Sequence, residues 1–411
     1  MNVVHYLDSA RLGLMSPSAS RRHGELGRFA TTAAASPLMD TLLQDGGGAW
    51  PESAQREFPA LSSYPGIPDF RRRLLETLGC EDWQRLILGT SSNSLIRIAS
   101  QFLFGPCERI LITDLAWPVY RKVLERCAVD RSRALHVIPL RQFIAKNCPS
   151  GPEIIDFVSG QFRKHSCDGL FLTAVSHDGI RLPAGEMISA IERRSEVKVS
   201  VIDGAQEFVQ VDHRQSLQAS DFYMTSGHKW AGSFIPIAIG VFGSNRSASR
   251  IKQIVADQVV SGLIDDPLMQ LCWDSTNSPP VAAPSTANVA ALFACDAAIA
   301  DLASNSETGW CEPRVDSPVD RLLEQLAEEG WRTTPGSSVC RSRTCVLHHA
   351  SLTSYSPAEI RTHFASQGIA LTAYERGVIR LSIPRANWNT DVQIDVGKRF
   401  NSVQTILGRA V

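Results

Sequence analysis

Short apolar runs separated by longer amphipathic segments recur from residue 86 to residue 242. Unbroken apolar runs are typical of strands buried on both faces, and the segments between them have the spacing of helices. This alternation predicts an α/β fold in which helices cover a mainly parallel sheet and ligands bind at the carboxyl ends of its strands. The predicted buried strands comprise residues 86–88, 109–114, 134–140, 169–175, 199–203 and 234–242.

The pattern also predicts how the 411 residues divide. A chain of this length exceeds what one hydrophobic core usually supports, so we expect a second domain. A proline cluster at 279–284 indicates the boundary, and the alternation of helix and strand resumes after it. The predicted parts are an N-terminal arm at 1–60, a large domain at 61–283 and a small α+β domain at 284–411.

One lysine stands out, because Lys229 lies among small and hydroxyl residues directly before the apolar run 234–242. A buried ammonium is costly unless it is neutralised, paired or converted to an imine. The strand at 199–203 ends in a carboxylate, Asp203, 26 residues earlier. A lysine for a Schiff base and an acid for the ring nitrogen are the two contacts that pyridoxal phosphate needs. The alternative, a Lys229–Asp203 ion pair with a structural role alone, is disfavoured because buried ion pairs add little stability.

The segments Asp203-Gly204-Ala205-Gln206 and Ser226-Gly227-His228-Lys229 together resemble fold type I pyridoxal-phosphate enzymes. Within that group they resemble the class V aminotransferases and cysteine desulfurases. The resemblance implies a large domain with a mainly parallel sheet and helices on both faces, a small α+β C-terminal domain, and a homodimer. It also implies pyridoxal 5′-phosphate as cofactor, Lys229 as the Schiff-base residue, and cofactor contacts from Asp203, Gln206, Ser226 and His228.

Two segments of the large domain predict further cofactor contacts. The turn at 89–93 joins a strand to a helix, so free N–H groups face it, and the hydroxyls of Thr90 and Ser91 add donors. The resembling families bind the cofactor phosphate at this position, and an ordinary helix cap is the alternative. Trp117, which precedes a proline at a helix start, is the candidate for the aromatic side chain that lies on the pyridine ring. Tyr120 is the second choice, and a core tryptophan is the alternative.

The resemblance extends to segments that predict catalytic groups. Residues 173–183 resemble the class V turn with Ser and His but are two residues shorter, which leaves open whether Ser176, His177 or Asp178 faces the cofactor. His177 is the candidate acid–base residue. Ser285-Thr286 resembles the Gly-Thr pair that reaches the phosphate of the neighbouring subunit, so Thr286 is a candidate cofactor contact.

Residues 378–384 resemble the family segment whose arginine binds the α-carboxylate of the substrate, and Arg380 occupies the matching position. A planar guanidinium makes a two-point contact with a carboxylate. Its place in the motif favours Arg380 over Arg376 and Arg385. Arg11, in a segment that borders the substrate in the resembling family, is predicted to form a surface salt bridge, with contact to a substrate carboxylate as the alternative.

Composition and charge limit the kinds of partner and the location that we expect for the protein. A formal net charge of −1 gives no electrostatic case for nucleic acid or an anionic membrane, and no stretch reaches the length of a membrane span. We therefore expect a cytoplasmic protein that acts on a small amino acid. Ten cysteines without a Cys-x-x-Cys motif favour reduced thiols. We expect no metal site, because His348 and His349, which follow Cys345, would face opposite sides of a strand.

The predicted residues leave several reactions open, because a lysine, an acid and a carboxylate-binding arginine serve all of them. We favour an aminotransferase-like enzyme of a specialised biosynthetic pathway, with a C–S lyase or a β- or γ-replacement enzyme as the alternative. Cysteine desulfuration is less favoured because the segment 371–377, just before Arg380, contains no cysteine, and Cys340 lies 40 residues before Arg380. An epimerase and a non-catalytic regulator that keeps the cofactor are also less favoured.

Overall fold

The computed structural model of the chain describes residues 4–80, 86–242, 245–261, 265–274, 287–304, 316–334, 340–384 and 388–408. Its strands, in chain order, are β1 (His5–Tyr6), β2 (Leu86–Gly89), β3 (Arg109–Thr113), β4 (Ala134–Ile138), β5 (Gly169–Thr173), β6 (Val199–Asp203), β7 (Phe222–Ser226), β8 (Ala238–Phe242), β9 (Arg332–Thr334), β10 (Thr344–His348), β11 (Ile369–Ala370), β12 (Thr372–Tyr374) and β13 (Val378–Ser382).

The α-helices of the described residues are α1 (Pro17–Phe29), α2 (Ala35–Asp45), α3 (Glu52–Glu57), α4 (Pro59–Ser62), α5 (Ile67–Leu78), α6 (Ser92–Phe104), α7 (Pro118–Asp130), α8 (Leu140–Asn147), α9 (Gly151–Lys164), α10 (Ala184–Glu192), α11 (Arg214–Ala219), α12 (Asn245–Val260), α13 (Pro267–Asp274), α14 (Ala290–Ser304), α15 (Asp316–Glu328), α16 (Pro357–Ser366) and α17 (Thr390–Gly408). None of these helices is both long enough and apolar enough to cross a membrane.

The large sheet has the order β2-β8-β7-β6-β5-β3-β4. Strand β8 runs antiparallel to both of its neighbours, and the remaining pairs are parallel. The predicted α/β class with a mainly parallel sheet is therefore confirmed. Because parallel strands share one direction, β5, β6 and β7 end at the same edge of the sheet.

Both faces of the large sheet are buried, as the unbroken apolar runs predict. Alternate residues of one strand, such as Leu170 and Phe171 of β5, enter two separate hydrophobic cores. Helices α6, α7 and α12 cover one face, and α5, α8, α9, α10 and α14 contribute to the core of the other. Fully burying a leucine or phenylalanine side chain stabilises the fold by roughly 1.5–3 kcal/mol.

A second, four-stranded antiparallel sheet has the order β12-β13-β10-β9 and packs with α15, α16 and α17 in its own core. The N-terminal strand β1 pairs in parallel with β11, so residues 5–6 join this part of the molecule. Helix α14 instead packs along α1 and contributes to the core of the large sheet. The domain boundaries at 60 and 283 stay predictions.

Several elements differ from the sequence prediction. The strand predicted at 234–242 begins only at Ala238, because Phe234 has a positive φ of 59° that interrupts extended backbone. The strand predicted at 134–140 ends at Ile138, and α8 begins at Leu140. Strand β7 and helices α12 and α13 were not predicted. Strand β7 has polar residues at its end, and α12 lies where the apolar spacing is irregular.

Candidate active site

Three parallel strands end side by side in polar residues. Thr173, Asp203 and Ser226 are the last residues of β5, β6 and β7, and Asp203 is in register with Thr173 on one side and Met224 on the other. Lys229 follows in the loop after β7. In open α/β sheets this edge borders the ligand crevice, so the sheet places the predicted lysine and acid where a ligand binds.

The amine of Lys229 lies in surroundings that favour its neutral form. Burial lowers the pKa of Lys229 to about 8, the Asp203 carboxylate opposes this shift, and the Arg380 guanidinium adds to it. Asp203 and Arg380 are therefore each close enough to act on the charge of Lys229. An amine with this pKa is partly deprotonated near neutral pH, as a nucleophile or proton acceptor must be.

The backbone around Lys229 is held by the N-terminal segment. The N–H of Gly13 donates to the carbonyl oxygen of His228 at 2.8 Å, and the N–H of Ser16 donates to that of Gly232 at 2.9 Å. A Cβ atom at position 13 would lie 1.7 Å from the carbonyl oxygen of Lys229, so only glycine permits this approach. The residues before α1 thus fix the loop that carries the lysine.

Asp203 presents a buried carboxylate at the end of β6. It is 5% exposed, and its Oδ1 accepts a hydrogen bond from the N–H of Ala205 at 3.0 Å. Burial raises the pKa of this carboxyl group, whereas the charge of Lys229 and the Ala205 N–H lower it. A carboxylate in such surroundings attracts a neighbouring cation strongly because little water screens it.

Arg380 brings a guanidinium from the small sheet to the same crevice. It is 4% exposed, and it donates from Nη1 to the carbonyl oxygen of His177 at 3.1 Å and from Nη2 to the hydroxyl of Thr372 at 3.3 Å. Its buried Nε has no hydrogen-bond partner among the described residues. The Oδ1 atom of Asp8 lies 4.0 Å from Nη2. The guanidinium therefore keeps donor capacity for a carboxylate.

The other candidate arginines differ from Arg380 in their surroundings or are not described. Arg376 is exposed and has a positive φ of 61°, and Arg385 lies outside the described residues. Arg11 donates from Nε to Oδ2 of Asp8 at 2.7 Å, in agreement with the predicted salt bridge. Among the candidate arginines that the structure describes, Arg380 is the one whose charge acts on Lys229.

The rings of Trp117 and His177 meet edge to face, with centroids 5.1 Å apart. Trp117 precedes the first turn of α7 and is 39% exposed, so it borders the crevice and is not a core tryptophan. Tyr120 is buried in the same helix, and its hydroxyl is hydrogen-bonded to Ser92. Burial lowers the pKa of His177. A neutral imidazole beside the crevice is suited to proton transfer.

The turn at 176–178 separates the three residues that the sequence left open. The hydroxyl of Ser176 donates to Oδ1 of Asp178 at 2.5 Å, and Arg141 forms an ion pair with the same carboxylate. The Nδ1 atom of His177 is buried without a hydrogen-bond partner among the described residues. His177 is thus the member of the three whose side chain keeps unused hydrogen-bonding capacity.

The turn after β2 does not present all of its donors to the crevice. Both the N–H and the hydroxyl of Thr90 donate to Oδ2 of Asp266, each at 2.9 Å. Ser91, the N-cap residue of α6, is exposed and does not cap its own helix through its side chain. The predicted phosphate contacts of Thr90 and Ser91 stay predictions. The two residues differ in that both donors of Thr90 bind Asp266, whereas the side chain of Ser91 makes no cap hydrogen bond.

The remaining predicted cofactor contacts surround Lys229. Gln206 donates from Nε2 to the carbonyl oxygen of Ala10 at 2.7 Å and accepts at Oε1 from the indole N–H of Trp230 at 2.9 Å. Burial lowers the pKa of His228 to about 4, and the charge of Lys229 adds to this effect. The hydroxyl of Ser226 is buried without a described partner. Thr286 lies outside the described residues.

These residues fit pyridoxal 5′-phosphate. The residues of the candidate site include five of the buried polar atoms that have no hydrogen-bond partner among the described residues: Oγ1 of Thr173, Oγ of Ser226, Nδ1 of His177, Nδ1 of His228 and Nε of Arg380. Such atoms are costly unless a ligand or water pairs with them, and a phosphate and a substrate carboxylate supply acceptors. When bound, the cofactor supplies an electron sink for a bond to the substrate Cα.

Several residues near the crevice were not predicted from the sequence. Asp8 is buried and accepts hydrogen bonds from Arg11 and from the hydroxyl of Thr372, and Asp266 holds the turn after β2. The ring of Tyr374 lies 5.9 Å from the Arg380 guanidinium carbon. No local motif marks the contacts of Asp8 with Thr372 or of Asp266 with Thr90, because these partners are distant in the sequence. Among the described residues, no cluster of His, Cys, Asp or Glu could hold a metal ion.

The fold and the Lys229–Asp203 arrangement define a fold type I pyridoxal-phosphate enzyme. Residues 164–394, more than half of the chain, match the family described as aminotransferase class-V. The chain belongs to the class-V aminotransferase family. It is therefore an enzyme that depends on pyridoxal phosphate, as the sequence predicted.

Solved structures of the same fold cover 98% of this chain at low identity. Examples are a cysteine desulfurase from Escherichia coli (16% identity, 94% of that chain, TM-score 0.69), a ureidoglycine–glyoxylate aminotransferase from Bacillus subtilis (12%, 93%, 0.66) and an alanine–glyoxylate aminotransferase from Nostoc sp. (14%, 96%, 0.63). Isopenicillin N epimerase from Streptomyces clavuligerus is 29% identical over 206 residues, 50% of this chain. The match spans about half, 48%, of that relative.

We predict that Lys229 in the cofactor-free protein reacts with an amine-specific reagent with an apparent pKa of about 8. Mass spectrometry of the modified peptide over a pH series measures this, with the exposed Lys146 as an internal reference for the reagent. Arg380→Ala should raise the pKa, because a nearby positive charge is removed, and Asp203→Asn should lower it. A midpoint at the ordinary lysine pKa, about 10.4, would contradict the burial argument.

Proposed function

We propose that this enzyme is an aminotransferase that acts on an α-amino acid in a specialised biosynthetic pathway. The observation that carries the proposal is the cluster of Lys229, Asp203 and Arg380 at the carboxyl edge of the large sheet. It combines an amine with a pKa of about 8, a buried carboxylate and a guanidinium with unused donors. Family membership supports the cofactor, and the cluster supports a substrate that carries both an amino group and a carboxylate.

Each residue of the cluster has a distinct role in this proposal. Arg380 holds the α-carboxylate of the substrate through paired hydrogen bonds and thereby orients the bonds at Cα. Asp203 would accept the hydrogen bond of the protonated ring nitrogen, and Trp117 would cover the ring. When the amino group of a substrate takes the place of Lys229 at the cofactor, the Nζ atom of Lys229 would be free to take the proton from Cα.

Epimerisation at Cα is the second candidate function. It is favoured by the 29% identity to isopenicillin N epimerase over 206 residues. It also agrees with the half-buried His177 imidazole, because inversion benefits from a second proton carrier. Burial lowers the pKa of His177, which favours the neutral ring, and its buried Nδ1 has no described partner. Both functions use the same lysine and arginine, so products must distinguish them.

The distinguishing experiment supplies the loaded enzyme with single amino acids, with and without a 2-oxo acid acceptor. We expect an amino acid that changes the cofactor absorbance, yields its 2-oxo acid in no more than the molar amount of enzyme without the acceptor, and yields it in repeated turnover only when the acceptor is present. Loss of Cα chirality in deuterated water with no oxo acid would instead establish epimerisation. Ammonia or sulfide released without an acceptor would establish the lyase alternative.

We predict that Arg380→Ala raises KM for the reactive amino acid about 10- to 100-fold, because a charged hydrogen bond contributes about 1.5–3 kcal/mol. Arg376→Ala is the matched control, since Arg376 is an exposed arginine on the same segment, and it should leave KM unchanged. Steady-state kinetics of both variants measure the effect. Equal KM values for the Arg380→Ala and parent enzymes would remove Arg380 from the substrate site.

We predict that no cysteine acts as a sulfur acceptor, although cysteine desulfurases share the fold. Cys340 is 3% exposed, and burial raises the pKa of the Cys345 thiol to about 12, so a reactive thiolate is disfavoured there. Cys340→Ala and Cys345→Ala should retain activity on the amino substrate. A persulfide on Cys340 after incubation with cysteine, detected by mass spectrometry, would make desulfuration the leading function.

We also propose a homodimer, on the basis of the resemblance at Ser285-Thr286 to a segment that reaches the neighbouring subunit. A fully active monomer in analytical ultracentrifugation would refute it. A cytoplasmic location is also proposed, because the ten cysteines of the sequence form no Cys-x-x-Cys motif, a pattern that favours reduced thiols.

A further inference from the structure

A single buried carboxylate, that of Asp266, holds the turn between β2 and α6. Its Oδ2 accepts hydrogen bonds from the N–H of Thr90 at 2.9 Å, the hydroxyl of Thr90 at 2.9 Å and the hydroxyl of Ser94 at 2.7 Å. Its Oδ1 accepts from the N–H of Met269 at 3.1 Å and so caps α13. Asp266 is 3% exposed, and it connects the end of a sheet strand, the start of α6 and the start of α13.

These contacts fix the residues on both sides of Ser91. Thr90 precedes Ser91, and Ser94 lies in the first turn of the helix that Ser91 begins. Ser91 itself is exposed, and its side chain does not cap α6. The first N–H groups of a helix carry partial positive charge and have no partner within the helix. The N–H of Ser94 donates to the carbonyl oxygen of Ser91 at 3.2 Å. The hydroxyl of Ser91 and the N–H groups of Ser92 and Asn93 are therefore the donors of the turn that remain for a ligand.

We propose that Asp266 is a positioning residue for the cofactor phosphate. It anchors Thr90 and Ser94 on the buried side of the turn, so that Ser91 and the first N–H groups of α6 face the phosphate. Thr90 is then an anchor of the turn and not a phosphate ligand, because both of its donors bind Asp266. The inference rests on the cofactor dependence of the family and is independent of the reaction type.

The position of the carboxylate supports anchoring over competition with the phosphate. A Cβ atom on Gly89 would lie 3.0 Å from Oδ2 of Asp266 and 3.1 Å from Cε of Met269, so the carboxylate approaches the backbone where α13 packs. Asp266 is 3% exposed, whereas Ser91 is exposed. The carboxylate and the free donors thus lie on different sides of the turn.

The test is the substitution Asp266→Asn in the cofactor-free protein. Asparagine keeps the side-chain size and can still cap α13, because Asn and Asp are equally good N-cap residues. It replaces the triple acceptor Oδ2 with an amide that donates, which leaves the donors of Thr90 and Ser94 unpaired. Dissociation constants for pyridoxal 5′-phosphate and for pyridoxal, which lacks the phosphate, are measured for the parent and variant proteins.

We expect Asp266→Asn to weaken binding of pyridoxal 5′-phosphate by about tenfold or more and to leave pyridoxal binding unchanged. The matched control is Asp265→Asn, since Asp265 is the adjacent carboxylate with an 87% exposed side chain, and it should change neither constant. Tighter binding of the phosphate form would overturn the proposal in favour of competition. An equal loss for both ligands would overturn it in favour of a purely structural role.

Discussion

The structure depends on burying one lysine without leaving an unpaired charge. An isolated buried ammonium is unstable in a protein interior, so Lys229 either becomes neutral or finds partners. Burial lowers its pKa to about 8. Asp203 opposes this shift from the neighbouring strand end, and Arg380 favours it from the small sheet. The charge state of the lysine is thus set by both parts of the molecule, and the large sheet alone does not determine it.

The N-terminal segment makes this arrangement possible, because it contacts both sheets at the crevice. The N–H of Ala10 donates to the hydroxyl of Ser382, the last residue of β13, and the carbonyl oxygen of Ala10 accepts from Gln206 of the large part. Gly13 then bonds to the backbone of the Lys229 loop. Ala10, which contacts the small sheet, therefore lies only three residues before Gly13, which contacts the loop of Lys229. Residues that composition alone marks as an arm are a structural part of the site.

Sequence patterns predicted the elements that are continuously apolar in sequence, and they failed where long-range contacts decide the structure. The apolar runs at β3, β5 and β6 and the order of Asp203 before Lys229 were sufficient to predict the sheet edge and the cofactor. Strand β7 was missed because its last residues are polar and its stability comes from pairing with β6 and β8. Asp8 and Asp266 were missed because their partners Thr372 and Thr90 lie 364 and 176 residues away.

Those two aspartates share a physical feature that bears on how the site binds anions. The cofactor carries a phosphate and the proposed substrate carries a carboxylate, and each predicted binding place for these anions has a buried carboxylate of the chain behind its donors. Asp8 lies 4.0 Å from Arg380, and Asp266 accepts the donors of Thr90. Each carboxylate reduces the local positive potential but fixes the donor groups before the ligand arrives. Donor groups that are mobile lose conformational entropy when a ligand binds, so fixing them beforehand lowers the entropic cost of binding. The site thus has a better ordered arrangement of donors but a weaker positive potential.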